Sequence, residues 1–327
     1  MRVVALEEHF FIPELTGLIP KEVISRQSNG PFLELVAPKL ANMGEERLKS
    51  MDDNGISVQV LSVHQGAGAE LLDAKDGPGF AKKYNDAIAD KISAFPDRFT
   101  AFANLPMTAP EAAADELERT VKEHRFVGAL INGLTNDEFL DNPKFAPIFE
   151  RAEALDVPVY LHPGLPPKAV IDAYYTGLPK YSGLLLSIGG WGWHSETAIH
   201  VLRLIASGTF DRYPKLKLII GHMGEMLPMM MVRCDSFFKP NGPGANQRSV
   251  IETLKAQVHI TTSGIFTVPP LMVAIDTFGI DNIMFSVDYP FSANEDGKAF
   301  LESIPLPHGD ISKIAHGNAD SLLKLSL

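Results

Sequence analysis

The sequence predicts an α/β fold, a (β/α)8 TIM barrel with long loops after strands 1 and 5. Three observations carry that expectation. Eight short β-branched runs recur along the 327 residues, each short enough to be a buried strand of a parallel sheet. Helix-like segments separate most of them. No glycine-rich phosphate loop follows the first run, which weakens the alternative, a doubly wound open sheet that binds a dinucleotide. No linker, internal repeat or charge run divides the chain, so residues 1–327 read as a single domain.

The runs are Val3–Leu6, Val58–Leu61, Phe99–Ala103, Val127–Ile131, Val157–Leu161, Leu216–Ile220, Val258–Thr261 and Ile283–Val287. Among the intervening segments, Glu45–Asn54 stops at Gly55, a natural helix end. Gly79–Phe95 carries Phe80, Tyr84, Ala87, Ile88 and Ile92 at helical spacing and ends before Pro96. Ala109–His124 starts at Pro110, with Ala113, Leu117 and Val121 on one face. Pro143–Leu155, Glu196–Ser207, Pro269–Phe278 and Ser312–Leu325 read the same way. Two connections are long, 10–44 and 162–215, and long loops in a compact domain are usually lids or binding loops. The second holds Tyr174, Tyr175, Tyr181, Trp191 and Trp193, rings suited either to walling a pocket or to ordinary half-buried packing.

Composition narrows the function. The chain is 45% hydrophobic and 21% charged, enough for a large core. A net charge of -11 argues against nucleic acid or an anionic membrane as partner. Cys234 is the only cysteine, so no intrachain disulfide forms. The N-terminus has no signal-peptide pattern, because Glu7, Glu8 and His9 interrupt it, and no apolar run reaches membrane-spanning length. The expectation is a soluble, cytoplasmic protein.

Barrel enzymes keep their chemistry where strands end and loops begin. Here the first run ends in Glu7-Glu8-His9, the fifth in His162-Pro163, the sixth in Gly221-His222-Met223-Gly224-Glu225 and the eighth in Asp288-Tyr289-Pro290. Side chains alternate along a strand, so Glu7 and His9 share a direction and Glu8 takes the other, which makes it replaceable. Singly, each group has a bland account: charges beyond a strand end, a histidine under a proline turn, a turn-capping aspartate. Together at one barrel mouth they call for a shared partner, and a divalent cation is the simplest. His222 and Glu225, three apart at the start of an expected helix, are spaced for a carboxylate to orient an imidazole. Arg233, two turns further on, returns to the pocket to hold an anionic oxygen or else pairs with a surface acid. His64 and His194 are weaker candidates for the pocket wall.

The ordered set of motifs resembles the amidohydrolase superfamily. The motifs run from Ala5-Leu6-Glu7-Glu8-His9-Phe10 through Leu161-His162-Pro163 and Gly221-His222-Met223-Gly224-Glu225 to Asp288-Tyr289-Pro290-Phe291. More narrowly the chain is similar to the decarboxylase branch, and most similar to γ-resorcylate-type decarboxylases. The resemblance implies that Glu7, His9, His162 and Asp288 hold one divalent ion, Zn or Mn, with no organic cofactor. It further implies a catalytic set of Asp288, His222 and Glu225, with Arg233, Phe291 and Trp193 around an aromatic acid, in a homodimer or homotetramer. The implied reaction is non-oxidative decarboxylation of an ortho-hydroxybenzoate, by ring protonation followed by loss of carbon dioxide. Two other readings are a metal-dependent lactone or amide hydrolase on the same scaffold and a non-catalytic aromatic-acid binding protein. Many hydrolytic relatives begin with His-x-His where this chain has Glu-x-His. Trp193 and His194 stand where γ-resorcylate enzymes carry smaller or less polar residues, which leaves γ-resorcylate, orsellinate and 6-methylsalicylate-like rings open.

Overall fold

Nine strands occupy the eight expected positions in the computed structural model, which describes residues 1–24 and 31–325. They are β1 (Val4–Phe10), β2 (Val58–Val63), β3 (Phe99–Ala101), β4 (Ala103–Asn104), β5 (Ala129–Asn132), β6 (Val159–His162), β7 (Leu218–Ile220), β8 (Val258–Thr261) and β9 (Ile283–Met284). Each pairs in parallel with the next, except that β3 and β4 are the two halves of one expected strand. The strand divides at Phe102, whose ring packs into the barrel interior against Tyr160.

Alternation sorts the apolar side chains into two cores. Val4, Leu6, Val58, Val60, Phe102 and Ile219 fill the interior, with Ala319 and Leu323 of the C-terminal helix below them. Ala5, Leu61, Leu161 and Ile220 face the helical layer instead. A (β/α)8 barrel closes only if its last strand meets its first. Here no backbone ladder joins β9 to β1. The seam is held by His9 N–H to the Tyr289 carbonyl (2.7 Å), Glu7 N–H to Ser286 Oγ (2.6 Å) and Val287 N–H to the Glu8 carboxylate (2.9 Å).

The two long connections are mostly helical rather than open loop. Helices Pro13–Thr16 and Pro31–Ala41 occupy much of 10–44, of which residues 25–30 lie outside the described residues. Lys168–Tyr174, Ser182–Ser187 and Gly192–Ala206 occupy 162–215. The last of these begins four residues before the expected Glu196, which puts Trp193 and His194 on its first turn. Ser312–Leu325 is a π-helical turn followed by Asn318–Leu323. Helix Val250–Gln257 was not expected, although Ser249 and Glu252 form the reciprocal capping box that announces it. Among the described residues no helix is long and apolar enough to cross a membrane.

Candidate metal and proton-transfer site

The site starts from an irregularity in β1. Val4 and Leu6 point inward, so strict alternation would turn Glu8 inward and Glu7 out. Instead Ala5 pairs with Gln59 and Glu8 with Leu61, three steps on one strand against two on the other. That bulge reverses the phase and aims Glu7 and His9 into the mouth.

Both side chains are completely buried, and each keeps one atom unpaired. Glu7 Oε2 accepts from the Tyr160 and Ser263 hydroxyls. Its Oε1 has no hydrogen-bond partner and lies 3.3 Å from His162 Nε2 and 3.8 Å from His222 Nε2. His9 Nδ1 meets Ser62 Oγ at 3.0 Å, leaving Nε2 unbonded, 3.3 Å from Asp288 Oδ1. His162 Nδ1 donates to the Pro163 carbonyl at 2.8 Å, which fixes the tautomer whose Nε2 lone pair faces Glu7. The ligand atoms of Glu7, His9 and His162 all lie within 4.8 Å of one another. Gly221 is required by this packing, since a Cβ there would come within 2.5 Å of Glu7 Oε2.

A second cluster adjoins the first. His222 Nδ1 and His194 Nδ1 reach the two oxygens of Glu225 at 2.7 and 2.6 Å, and His222 Nε2 is 3.7 Å from Asp288 Oδ2. His222 and Glu225 do not open a right-handed helix, as expected, but sit on a left-handed turn. All five residues from His222 to Met226 have φ between 45° and 87°, and the helix starts only at Leu227. Each non-glycine residue in that region costs about 1–2 kcal/mol. Asp288 shares the conformation, with φ 70°.

Residues 36–325 match the amidohydrolase family model. The chain belongs to the amidohydrolase family. It is 36% identical to the decarboxylase orsB of Emericella nidulans, over 99% of this chain and 98% of that protein. It is 38% identical to the γ-resorcylate decarboxylase of Rhizobium radiobacter, over 98% of each. A dihydroxybenzoic acid decarboxylase from Polaromonas sp. JS666, solved with manganese and the inhibitor 2-nitroresorcinol, superposes with a TM-score of 0.84 at 36% identity. That match covers 99% of this chain and 97% of the other.

In this amidohydrolase the charges are sorted by their neighbours. Burial alone would raise the Glu7 carboxyl, but the imidazoles of His222, His162 and His9 outweigh it and hold Glu7 ionised. Burial lowers His222, and Glu225, Glu7 and Asp288 more than reverse that, so its net shift is upward. Asp288 is raised by burial and lowered further by its contacts to His222 and His9. The two clusters differ as metal sites. Glu225 is satisfied by its two imidazoles, whereas Glu7 Oε1 and His9 Nε2 are buried and unsatisfied. Two orphaned donor atoms, a correctly set His162 tautomer and an adjacent carboxylate fit a divalent ion at the first cluster.

A cavity of about 400 Å³ opens over these groups. His9, His162, His222 and Asp288 form its floor, and Leu185, Ile188, Trp193, Ile265 and Phe291 line its apolar walls. Phe291 stands 5.9 Å from the His9 ring and Trp193 6.3 Å from His162, between ring centroids. Arg233 is not among these groups. It is exposed, with its guanidinium 4.6 Å from the Phe237 ring. Two helical turns from Glu225 would return Arg233 to the pocket, but the left-handed turn intervenes and the helix begins only at Leu227.

Three contributions were missed or undervalued from sequence. His194 shares Glu225 with His222. Tyr160, two residues before His162 and therefore on its face, holds Glu7 together with Ser263; the Thr261-Thr262-Ser263 run at the end of β8 was the available signal. Glu8 faces away, as expected, but not into solvent. It is fully buried, accepts from Val287 N–H and from Gln59 Nε2 (3.0 Å), and burial pushes its carboxyl up to about 8.

Proposed function

We propose that this amidohydrolase is a metal-dependent, non-oxidative decarboxylase of an ortho-hydroxybenzoate-type acid. One observation carries the proposal: the unpaired Glu7 Oε1 and His9 Nε2 converge with His162 and Asp288 beneath an apolar cavity of aromatic-ring size. Glu7, His9, His162 and Asp288 would hold the ion, manganese first by analogy with the Polaromonas relative and zinc second. When bound, the ion supplies Lewis-acid charge to a substrate carboxylate and its neighbouring phenolic oxygen.

The chain's own groups handle the proton. Direct loss of carbon dioxide from the ring would leave an in-plane carbanion that the π system cannot delocalise, so the carboxyl-bearing carbon must be protonated first. Asp288, ionised in the free protein, would take a proton from His222 once the substrate is bound and deliver it from beneath the cavity. His222 is 3.7 Å away, with Glu225 and His194 holding its orientation. Carbon dioxide then leaves, the electrons of the broken C–C bond restore aromaticity, and His222 is reprotonated. Trp193, Ile188 and Phe291 flank the ring and exclude water. We also propose a homodimer or homotetramer whose interface covers the exposed Met229, Val232 and Phe237, the face that carries Arg233. We further propose a cytoplasmic location, supported by the single cysteine, which leaves no intrachain disulfide to need an oxidising compartment.

The test is carbon dioxide release from 2,6-dihydroxybenzoate and orsellinate by metal-stripped and manganese-reloaded protein. Release that disappears on stripping and returns on reloading supports the proposal. Hydrolysis of lactones or amides without carbon dioxide release from any hydroxybenzoate overturns it.

A further inference from the structure

We infer that Gln65 is a specificity-determining residue whose carboxamide reads a second hydroxyl on the substrate ring, one outside the chelating carboxylate–phenol pair. The inference deepens the decarboxylase reading above and rests on it.

Gln65 follows His64 where the chain leaves β2 at the barrel mouth; it lines the cavity over the metal site and, on its other side, borders a second cavity with Glu70 and Asn132. It is only 8% exposed, yet among the described residues its side chain has no hydrogen-bond partner, and Oε1 is enclosed. Among the described residues, every other carboxamide buried to that depth is hydrogen-bonded. Gln59 bridges Arg47 and Glu8. Asn104 holds Ala69 and Glu70, and Asn85 the Asn104 backbone. Asn54, Asn246, Gln257 and Asn294 each donate as well. The buried oxygen of an amide has two acceptor positions, and leaving both unmet is unfavourable unless something else supplies a donor.

The surroundings say what that something is. The floor of the cavity is committed to the ion, the carboxylate and the proton, and most of the wall is carbon. Among the described residues no lysine or arginine lines the cavity, so Gln65 is poorly matched to a second carboxylate. A neutral hydroxyl both donates and accepts. The terminal amide torsion is soft, so either end of the carboxamide can be turned to meet it. A methyl group in the same place would leave the amide as unsatisfied as it is in the free protein. The favoured substrates are therefore dihydroxybenzoates, orsellinate-type rings included, over salicylates bearing only alkyl groups.

The experiment compares wild type with Gln65→Leu, both manganese-loaded, on salicylate and on 2,3-, 2,4-, 2,5- and 2,6-dihydroxybenzoate. Two quantities are read: kcat/KM for carbon dioxide release, and Kd from quenching of tryptophan fluorescence. Wild type should favour at least one dihydroxybenzoate over salicylate by tenfold or more. Gln65→Leu should erase that preference while leaving salicylate within twofold. Because the carboxamide has no partner in the free protein, the substitution should not lower Tm. An unchanged preference, a uniform loss on all five acids, or the absence of any preference in wild type overturns the inference. If no acid is turned over but the Kd values still separate as described, the decarboxylase reading fails and the role of Gln65 stands.

Discussion

Glu7 and Glu8 are consecutive, lie on the same strand and are both completely buried, yet they inhabit different chemistry. Glu7 is surrounded by imidazoles and hydroxyls, stays ionised and keeps one oxygen unpaired. Glu8 faces the layer between barrel and helices, where its oxygens accept from Val287 N–H, Gln59 and the Ser286 hydroxyl. Arg47, also fully buried, completes that layer: it donates to the His9 carbonyl at 2.6 Å and to Gln59 Oε1 at 3.3 Å, and lies over the Tyr289 ring. Burial and charge are common to both faces and therefore do not mark function. A spare lone pair among converging ligands does, and the bulge in β1 decides which carboxylate has it.

The sharpest way to break this comparison is Glu7→Gln. It removes a ligand charge and sets an amide N–H or a neutral carbonyl against His162 and His222. Metal content, read by elemental analysis, should fall well below one ion per chain. Turnover should fall at least about 10³-fold, or ~4 kcal/mol of transition-state stabilisation. Retention of metal and activity would place the site elsewhere. Arg47→Leu probes the opposite face. It leaves the His9 carbonyl and Gln59 without their donor and should lower unfolding stability by about 3 kcal/mol, read from the urea midpoint at constant m. An unaffected midpoint would show that the outer layer does not brace β1.

Much of this was legible in the sequence, for a physical reason. Burial on both faces leaves a continuous β-branched signature, so eight runs and their helices revealed the barrel, and the polar groups at their ends singled out Glu7, His9, His162 and Asp288, which the fold brings together. What escaped depends on partners remote in sequence. The bulge exists only relative to β2, so alternation within β1 gave the correct pairing of Glu7 with His9 without its cause. The left-handed turn from His222 to Met226 has Gly224 as its one local sign, and that turn removed Arg233 from the pocket. The short helices of the two long connections lie below the length at which periodicity is readable.

The histidines repeat the contrast and give a smaller effect. His222 is raised by its carboxylates, whereas burial pushes His200, far from the mouth, down to about 3, where its neutral ring accepts Leu140 N–H at 2.8 Å. A histidine lowered in the folded state binds its proton more readily when unfolded. Its contribution is therefore complete above the unfolded value of about 6.5 and is lost as pH falls toward 3. Between pH 7.5 and 5 the loss from this group is about 2 kcal/mol. Urea unfolding at both pH values should show His200→Gln losing less stability than wild type by about that amount. Equal pH dependence would mean that burial does not lower His200 in the folded protein.

Glu8→Gln should have the smallest effect, and it tests the separation of the two faces directly. Burial holds the Glu8 carboxyl up to about 8, so at neutral pH it is already largely protonated and a carboxamide resembles its resting form. One oxygen remains to accept Val287 N–H and keep the β9–β1 seam closed. The mismatch lies at Gln59, whose Oε1 is held by Arg47 and whose Nε2 must donate, so a second amide N–H there meets a donor. Losing that one neutral hydrogen bond costs about 1 kcal/mol. Metal content should stay at the wild-type level and turnover within a few-fold. Glu8→Ala, by contrast, strips the acceptor from the seam and should cost more stability than Glu8→Gln while still binding metal. If Glu8→Gln loses its ion as Glu7→Gln does, the bulge does not insulate the two faces, and the ligand set extends through β1 to the helical layer.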